Sequence, residues 1–178
     1  MTIDGFVAGP EGQLDWMWLG EKDPASFQDV IDLASSSDTI LLGRKMTQGF
    51  VTYWEDVVDN KPDSPEHSFA TQMVDLRKIV FSRSRAAMSG RNVEMEYGDL
   101  ATVIDALKRM PGKDLLVYGG ADFASSLIDL NLIDEYYIFS NPVSIGKGLR
   151  IFKGQKLLKL ASSKAYKNGK MLNKYLPV

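Results

Sequence analysis

Short apolar runs rich in β-branched and aromatic residues alternate along this chain with stretches of helical period, which is the pattern of an α/β domain. The runs predict strands at Ile3–Ala8, Thr39–Leu42, Lys78–Ser82, Val93–Tyr97, Leu115–Tyr118 and Glu135–Ser140, then two longer ones at Leu157–Lys167 and Lys170–Leu176. Between the last two stands Asn168-Gly169, a dipeptide that tolerates positive φ at both central turn positions, so a two-residue hairpin joining antiparallel strands is expected. Caps mark the helices. Asp23-Pro24 sets a capping carboxylate before a proline at the first helical position and leads into Phe27, Val30, Ile31, Leu33 and Ala34. Ser64-Pro65 repeats the device. Asp99 precedes Leu100, Val103, Ile104, Leu107 and Met110, an i, i+3, i+4, i+7 stripe closed by Pro111-Gly112. A short helix is expected from Ala121 to about Leu130, and the polar stretch Val58–Glu66 reads as a surface loop. The expected architecture is one α/β domain over residues 1–178, its mostly parallel central sheet mixed by the antiparallel C-terminal hairpin and flanked by helices.

Three strand ends carry residues suited to a phosphate-rich ligand. Leu115–Tyr118 runs into Gly119-Gly120 and then Ala121-Asp122-Phe123, a buried strand, two glycines and a helix start. Glycines let backbone approach a ligand closely, and a helix start offers unpaired N–H groups and a positive dipole end. The same residues also suit an ordinary tight strand-to-helix turn. Leu41-Leu42-Gly43-Arg44-Lys45 repeats the arrangement, with two cations where the helix dipole disfavours them and an anion would offset that. Lys78–Phe81 ends in Ser82, Arg83 and Ser84. Ligands of open α/β sheets sit outside the carboxyl ends of the strands, so the three ends together favour one shared ligand. Gly5, Gly9 and Gly12 punctuate a loop able to close over it, and Asp15-Trp16-Met17-Trp18 follows, with Glu21 and Asp23 just beyond. Carboxylates there read first as caps, and the Trp side chains as core.

Composition narrows the chemistry. In 178 residues there is no Cys and one His, which removes thiol catalysis, disulfides and histidine-rich metal sites, so no metal is expected. Lys+Arg number 21 against 23 Asp+Glu, without the basic excess that neutralises nucleic acid. No apolar run approaches the roughly 18 residues of a membrane span, and no signal segment opens the chain, so a cytoplasmic protein without nucleic-acid or membrane partners is the expectation. His67 reads as a solvated residue, and Lys147, Arg150, Lys153, Lys156 and Lys159 as a solvated basic face.

In this order, Ile3–Gly9 with Asp15-Trp16, Leu42–Lys45, Val80–Arg83, Val117–Gly120 and Ile133–Glu135 through Gly146–Gly148 resemble the dihydrofolate reductase superfamily. The resemblance is closer to the branch containing the reductase domain of riboflavin-pathway deaminase/reductases. It implies a dihydrofolate reductase-like three-layer fold and NADPH as cofactor. By that resemblance, Val7, Ala8 and Gly9 form the nicotinamide-side strand end and lid start. Gly43, Arg44, Lys45 and Met46 hold the pyrophosphate and the adenosine phosphate, with Met46 standing where many members carry Thr. Ser82, Arg83 and Ser84 form the second adenosine-side end, and Gly119, Gly120, Ala121, Asp122 and Phe123 the glycine turn against the pyrophosphate and nicotinamide. Trp16, Phe50 and Trp54 become candidate walls for a heterocyclic substrate. Dihydrofolate reductases bury one carboxylate a few residues after the lid-loop Trp, which points to Glu21, or second to Asp23, as the acid, with a pKa raised by burial.

Tyr118 stands where riboflavin-pathway reductases carry Glu, and three residues precede Asp4, so either the first strand is short or the start lies upstream. The expected activity is hydride transfer from NADPH to a C=N or C=O bond of a pterin-like or pyrimidine-like heterocycle. The alternatives are the ribosylaminopyrimidine reduction of riboflavin synthesis and a non-catalytic NADPH-binding protein. Related domains dimerise, and the C-terminal hairpin offers an edge for a homodimer.

Overall fold

In a computed structural model that describes residues 1–85 and 87–178, the predicted parallel strands form around the most apolar runs. β1 (Ser37–Gly43), β2 (Arg77–Phe81), β3 (Val93–Glu96) and β4 (Asp114–Gly119) make a parallel sheet in the order β3-β2-β1-β4. Parallel strands are covered on both faces and therefore read as continuous apolar runs. Ile40, Leu41 and Leu42 of β1 and Ile79 and Val80 of β2 are accordingly buried. The helices of this unit are α2 (Arg44–Asn60), α3 (His67–Asp75) and α4 (Leu100–Lys108). Asp99 caps α4 by accepting from the Thr102 N–H at 3.0 Å, as its position predicts. α2 takes three residues from the predicted 58–66 loop. Asn60 bonds back to Asp56 at 2.8 Å, and the helix stops at Lys61 because the residue before Pro62 is driven out of the α region.

The chain forms two compact units, residues 30–124 with the parallel sheet and residues 1–29 with 125–178. α1 (Pro24–Ser35) and α5 (Ala121–Asp129) each belong in part to both. The second unit holds an antiparallel sheet, β5 (Tyr136–Ser140), β7 (Met171–Pro177) and β6 (Leu158–Ala165), in the order β5-β7-β6. The expected mixed sheet is thus divided into a parallel and an antiparallel one.

Two further expectations change. Ile3–Ala8 is not a strand. Gly5 takes φ +87°, the Thr2 N–H donates to the Phe6 carbonyl at 2.8 Å, and two isolated bridges remain, Thr2 with Asn141 and Ala8 with Leu149. Asp4 holds this turn: its carboxylate accepts from the Ser144 hydroxyl at 2.7 Å and the Gly146 N–H at 2.7 Å, and the Thr2 side chain first, then these two donors, keep its pKa well below the usual carboxylate range. The hairpin has a three-residue turn rather than the two-residue one. Gly169 alone of the turn has positive φ (+80°), and its N–H donates to the Tyr166 carbonyl at 3.0 Å. This is a type I turn closed by a glycine bulge.

Candidate active site

The parallel sheet fixes where a ligand can enter. From β1 the chain winds to β2 and β3 on one side and returns to β4 on the other, so the topological switch lies between β1 and β4. The register sets Gly43 beside Phe81 and Leu42 beside Gly119, which brings the carboxyl ends of three adjacent strands together. Two helices start there, α2 directly after Gly43 and α5 after Gly119-Gly120, whose peptide is cis. The N-cap of α2 is Gly43, which has no side chain to cap the first turn, and among the described residues no other side chain is seen to do so, so its N–H groups are available to an anion.

Both glycine positions are crowded. A Cβ on Gly43 would lie 2.6 Å from the Phe123 Cβ, and one on Gly119, at φ +140°, would lie 2.9 Å from the Met46 sulfur. Gly43, Met46, Gly119, Gly120 and Phe123 therefore meet in one place, and Phe123 stacks on Phe81 at 5.1 Å. Ala121 and Asp122 open α5. The two cations at the start of α2 differ: Lys45 pairs with Asp122 at 3.1 Å, whereas Arg44 is exposed and in no ion pair among the described residues. Ser82 spends its hydroxyl on its own turn, donating to the Ser84 carbonyl and accepting from the Ser84 N–H, and Arg83 is exposed beside it.

An aromatic cluster covers the α2 side of the same sheet. Phe50, Tyr53 and Trp54, spaced i, i+3, i+4, share one stripe of α2. Trp54 meets Phe69 edge-on at 5.2 Å, and Phe50 meets Tyr118 at 4.8 Å. The Tyr53 hydroxyl donates to Glu66 at 2.7 Å, and this bond, with partial burial, pushes its pKa up to about 12. Desolvation, and then the Glu66 carboxylate, push Tyr118 up to about 12 as well, although 38% of it stays exposed. Phe50 and Trp54 are two of the expected wall residues, and they share this cluster with Tyr53 and Glu66, which the sequence reading did not single out although the aromatic spacing in Phe50-Val51-Thr52-Tyr53-Trp54 was the available signal.

The remaining candidates belong to the other unit. The Val7 N–H donates to the Leu149 carbonyl, Ala8 accepts from Leu149, and the Gly9 N–H donates to Gln13, so the expected lid start is closed by its own backbone bonds. Trp16 is buried, and its indole N–H lacks a partner among the described residues. The two carboxylates depart from the expectation. Glu21 is exposed, and its backbone carbonyl accepts from the Asn168 side chain, so the burial on which its role as acid depended is absent. Asp23 is a structural tie, one oxygen accepting from the Ala25 N–H at 2.9 Å at the head of α1 and the other from the Lys167 N–H at 2.9 Å in the hairpin turn. Neither is placed as a buried proton donor. Among the described residues no group of His, Asp or Glu is arranged to hold a metal ion, and no helix is long and apolar enough to cross a membrane.

Comparison with known proteins places the chain in a family and finds its fold elsewhere. The family described as RibD C-terminal domain matches residues 1–172. Uncharacterized protein YyaP of Bacillus subtilis (strain 168) is 30% identical over 172 residues, 95% of this chain and 87% of that protein. A chain of Shewanella sp. PV-4 ascribed to riboflavin biosynthesis superposes with a TM-score of 0.76 at 17% identity, over 100% of this chain and 95% of that one. The Thermotoga maritima diaminohydroxyphosphoribosylaminopyrimidine deaminase/5-amino-6-(5-phosphoribosylamino)uracil reductase superposes with a TM-score of 0.67 at 19% identity, over 99% of this chain and 54% of that one.

Proposed function

The chain belongs to the RibD C-terminal domain family, with its dihydrofolate reductase-like fold, and on that footing we propose that it is an NADPH-dependent reductase of a pyrimidine-like or pterin-like heterocycle. One observation supports the cofactor: two helix starts meet at the glycine-bearing ends of β1 and β4, where their backbone N–H groups would suit a pyrophosphate. Backbone N–H groups of α2 and α5 would hold the pyrophosphate, and Arg44, in no ion pair among the described residues, would face the adenosine phosphate. When bound, the nicotinamide supplies the hydride. The chain's part is to orient that ring by the Gly119-Gly120 turn and Phe123, and to wall the substrate with Phe50, Trp54 and Tyr118.

The exposed Glu21 and the capping Asp23 favour a second reading, an NADPH-binding protein without turnover. NADPH oxidation in the presence of dihydrofolate, or of the ribosylaminopyrimidine of riboflavin synthesis, separates the readings: turnover with either substrate excludes the second. A thermal shift tests the cofactor. Saturating NADPH is expected to raise the melting temperature, and its failure to do so would sink the proposal. Arg44→Ala is expected to weaken NADPH by about 1.5–3 kcal/mol, the range for a hydrogen bond to a charged group. NADH should be weakened much less; an equal loss would show that the 2′-phosphate is not the partner of Arg44.

A further inference from the structure

Tyr118 and Glu66 hang from the same aromatic stripe. Tyr118 packs edge-on against Phe50 at 4.8 Å, and Glu66 is bonded to Tyr53 one helical turn further on, at 2.7 Å. Tyr118 is also the residue directly before Gly119, so this stripe adjoins the glycine cradle along β4. Each member of the pair has capacity to spare. Among the described residues the Tyr118 hydroxyl has no hydrogen-bond partner, and Tyr53 engages Oε2 of Glu66 while Oε1 has none. Tyr53 and Tyr118 keep 43% and 38% exposure and Glu66 is half-buried, so a ligand can reach them.

The chemistry on offer is one neutral donor and one acceptor beside aromatic faces. With its pKa pushed up to about 12, the Tyr118 phenol keeps its proton at neutral pH and serves as a donor, not a base. The complement is a flat ring presenting an acceptor oxygen beside a donor N–H, which is the edge of a cyclic amide. We propose that Tyr118 and Glu66 select the substrate by such an edge, the phenol donating to a ring carbonyl oxygen and the carboxylate accepting from the adjacent ring N–H. The assignment rests on the reductase reading for its location, and it places substrate choice on Tyr118 of β4 and on Glu66 at the head of α3 rather than on Glu21 or Asp23. A ring lacking that N–H leaves the carboxylate unpaired, and such a mismatch is what a polar site rejects most strongly.

The test uses the whole chain and two probes, 5,6-diaminouracil and its 1,3-dimethyl derivative, which keeps the carbonyls and loses both ring N–H groups. Binding is measured by calorimetry or saturation-transfer NMR, with and without NADPH. The unmodified ring is expected to bind about tenfold more tightly than the dimethyl ring. Tyr118→Phe keeps the ring against Phe50, and Glu66→Gln keeps an acceptor for Tyr53. Glu66→Gln is expected to weaken the unmodified ring about five- to tenfold and to leave the dimethyl ring within about twofold, whereas Tyr118→Phe is expected to weaken both rings, which share the carbonyl, by a similar five- to tenfold; both variants should keep NADPH within about twofold. Equal binding of the two rings, no binding of either, or variants that bind both rings like the parent would each overturn the proposal. Loss of NADPH binding with ring selectivity intact would instead overturn the cofactor reading alone.

Discussion

β1 and β6 are strands of similar length with opposite surroundings. β1 buries Ile40, Leu41 and Leu42 almost completely, whereas seven of the eight residues of β6 are exposed. The parallel sheet is held by apolar contact on both faces and ends at glycines, where helix starts and strand ends leave unspent polar groups. In the antiparallel unit several polar side chains make ties. Asp29 accepts from Lys164 at 2.5 Å and from the Tyr166 hydroxyl, Asp23 binds the Lys167 N–H, and Lys156 donates to the Ile128 carbonyl. Asp23 and Asp29 of the antiparallel unit are therefore structural ties.

The largest expected contrast is in stability. Ile40→Ala removes a fully buried side chain from β1 and should cost about 2–5 kcal/mol. Leu160→Ala, on β6 with 52% of the residue exposed, should stay within about 0.5 kcal/mol. Urea denaturation of both variants checks this, and comparable losses would break the contrast between the sheets.

Lys78 tests the buried side by pH. It is 2% exposed on β2, and its ammonium closes the C-terminal end of α3 by donating to the carbonyls of Met73, Val74 and Leu76 at 2.9, 2.8 and 2.6 Å. Burial lowers its pKa from 10.5 to about 8. Below pH 8 both folded and unfolded chains carry the proton. Between pH 8 and 10.5 the unfolded chain binds it more tightly, so stability should rise with pH. The rise is up to about 3 kcal/mol, less whatever the three carbonyl hydrogen bonds contribute while the amine is charged. The difference between the parent and Lys78→Met should reproduce that rise; a flat difference would show that the ammonium is not desolvated.

At the end of β1 and in the helix that follows it, the contrast narrows to two glycines. Gly43→Ala would press a Cβ against the Phe123 Cβ and should cost about 1–3 kcal/mol together with NADPH affinity. Gly49→Ala, inside α2 with nothing within 4 Å, should gain about 0.5–1 kcal/mol. Melting curves of the pair read opposite signs if the cradle is as tight as its geometry.

The meeting of strand ends and helix starts was legible in sequence because it is made of chain-local features, an apolar run, a glycine and a helix start, repeated at Gly43 and Gly119. The α4 stripe was legible for the same reason. The Ile3–Ala8 run misled, because the Asp4-Gly5 turn is held by Ser144 and Gly146, some 140 residues away, and nothing local announces that partner. Glu21 misled because spacing after a Trp carries no information on exposure. Tyr118, Tyr53 and Glu66 come from three separate segments, so their grouping exists only once α2 and the head of α3 pack beside β4.

The smallest expected effect separates the two uses of aspartate. Asp122 sits in the first turn of α5, where a carboxylate favours the helix dipole, yet it also occupies Lys45 at the start of α2. A phosphate bound as proposed would compete with it on both counts. The pair is 80% and 66% exposed, so its contribution to stability is small, and its main consequence is for anion binding. Asp122→Asn should leave the fold intact and strengthen NADPH by about 0.3–1 kcal/mol, with the gain shrinking as salt screens it. Titrations at low and high ionic strength read both. Weaker binding in the variant would mean that Asp122 holds Lys45 in place for the ligand instead of competing for it.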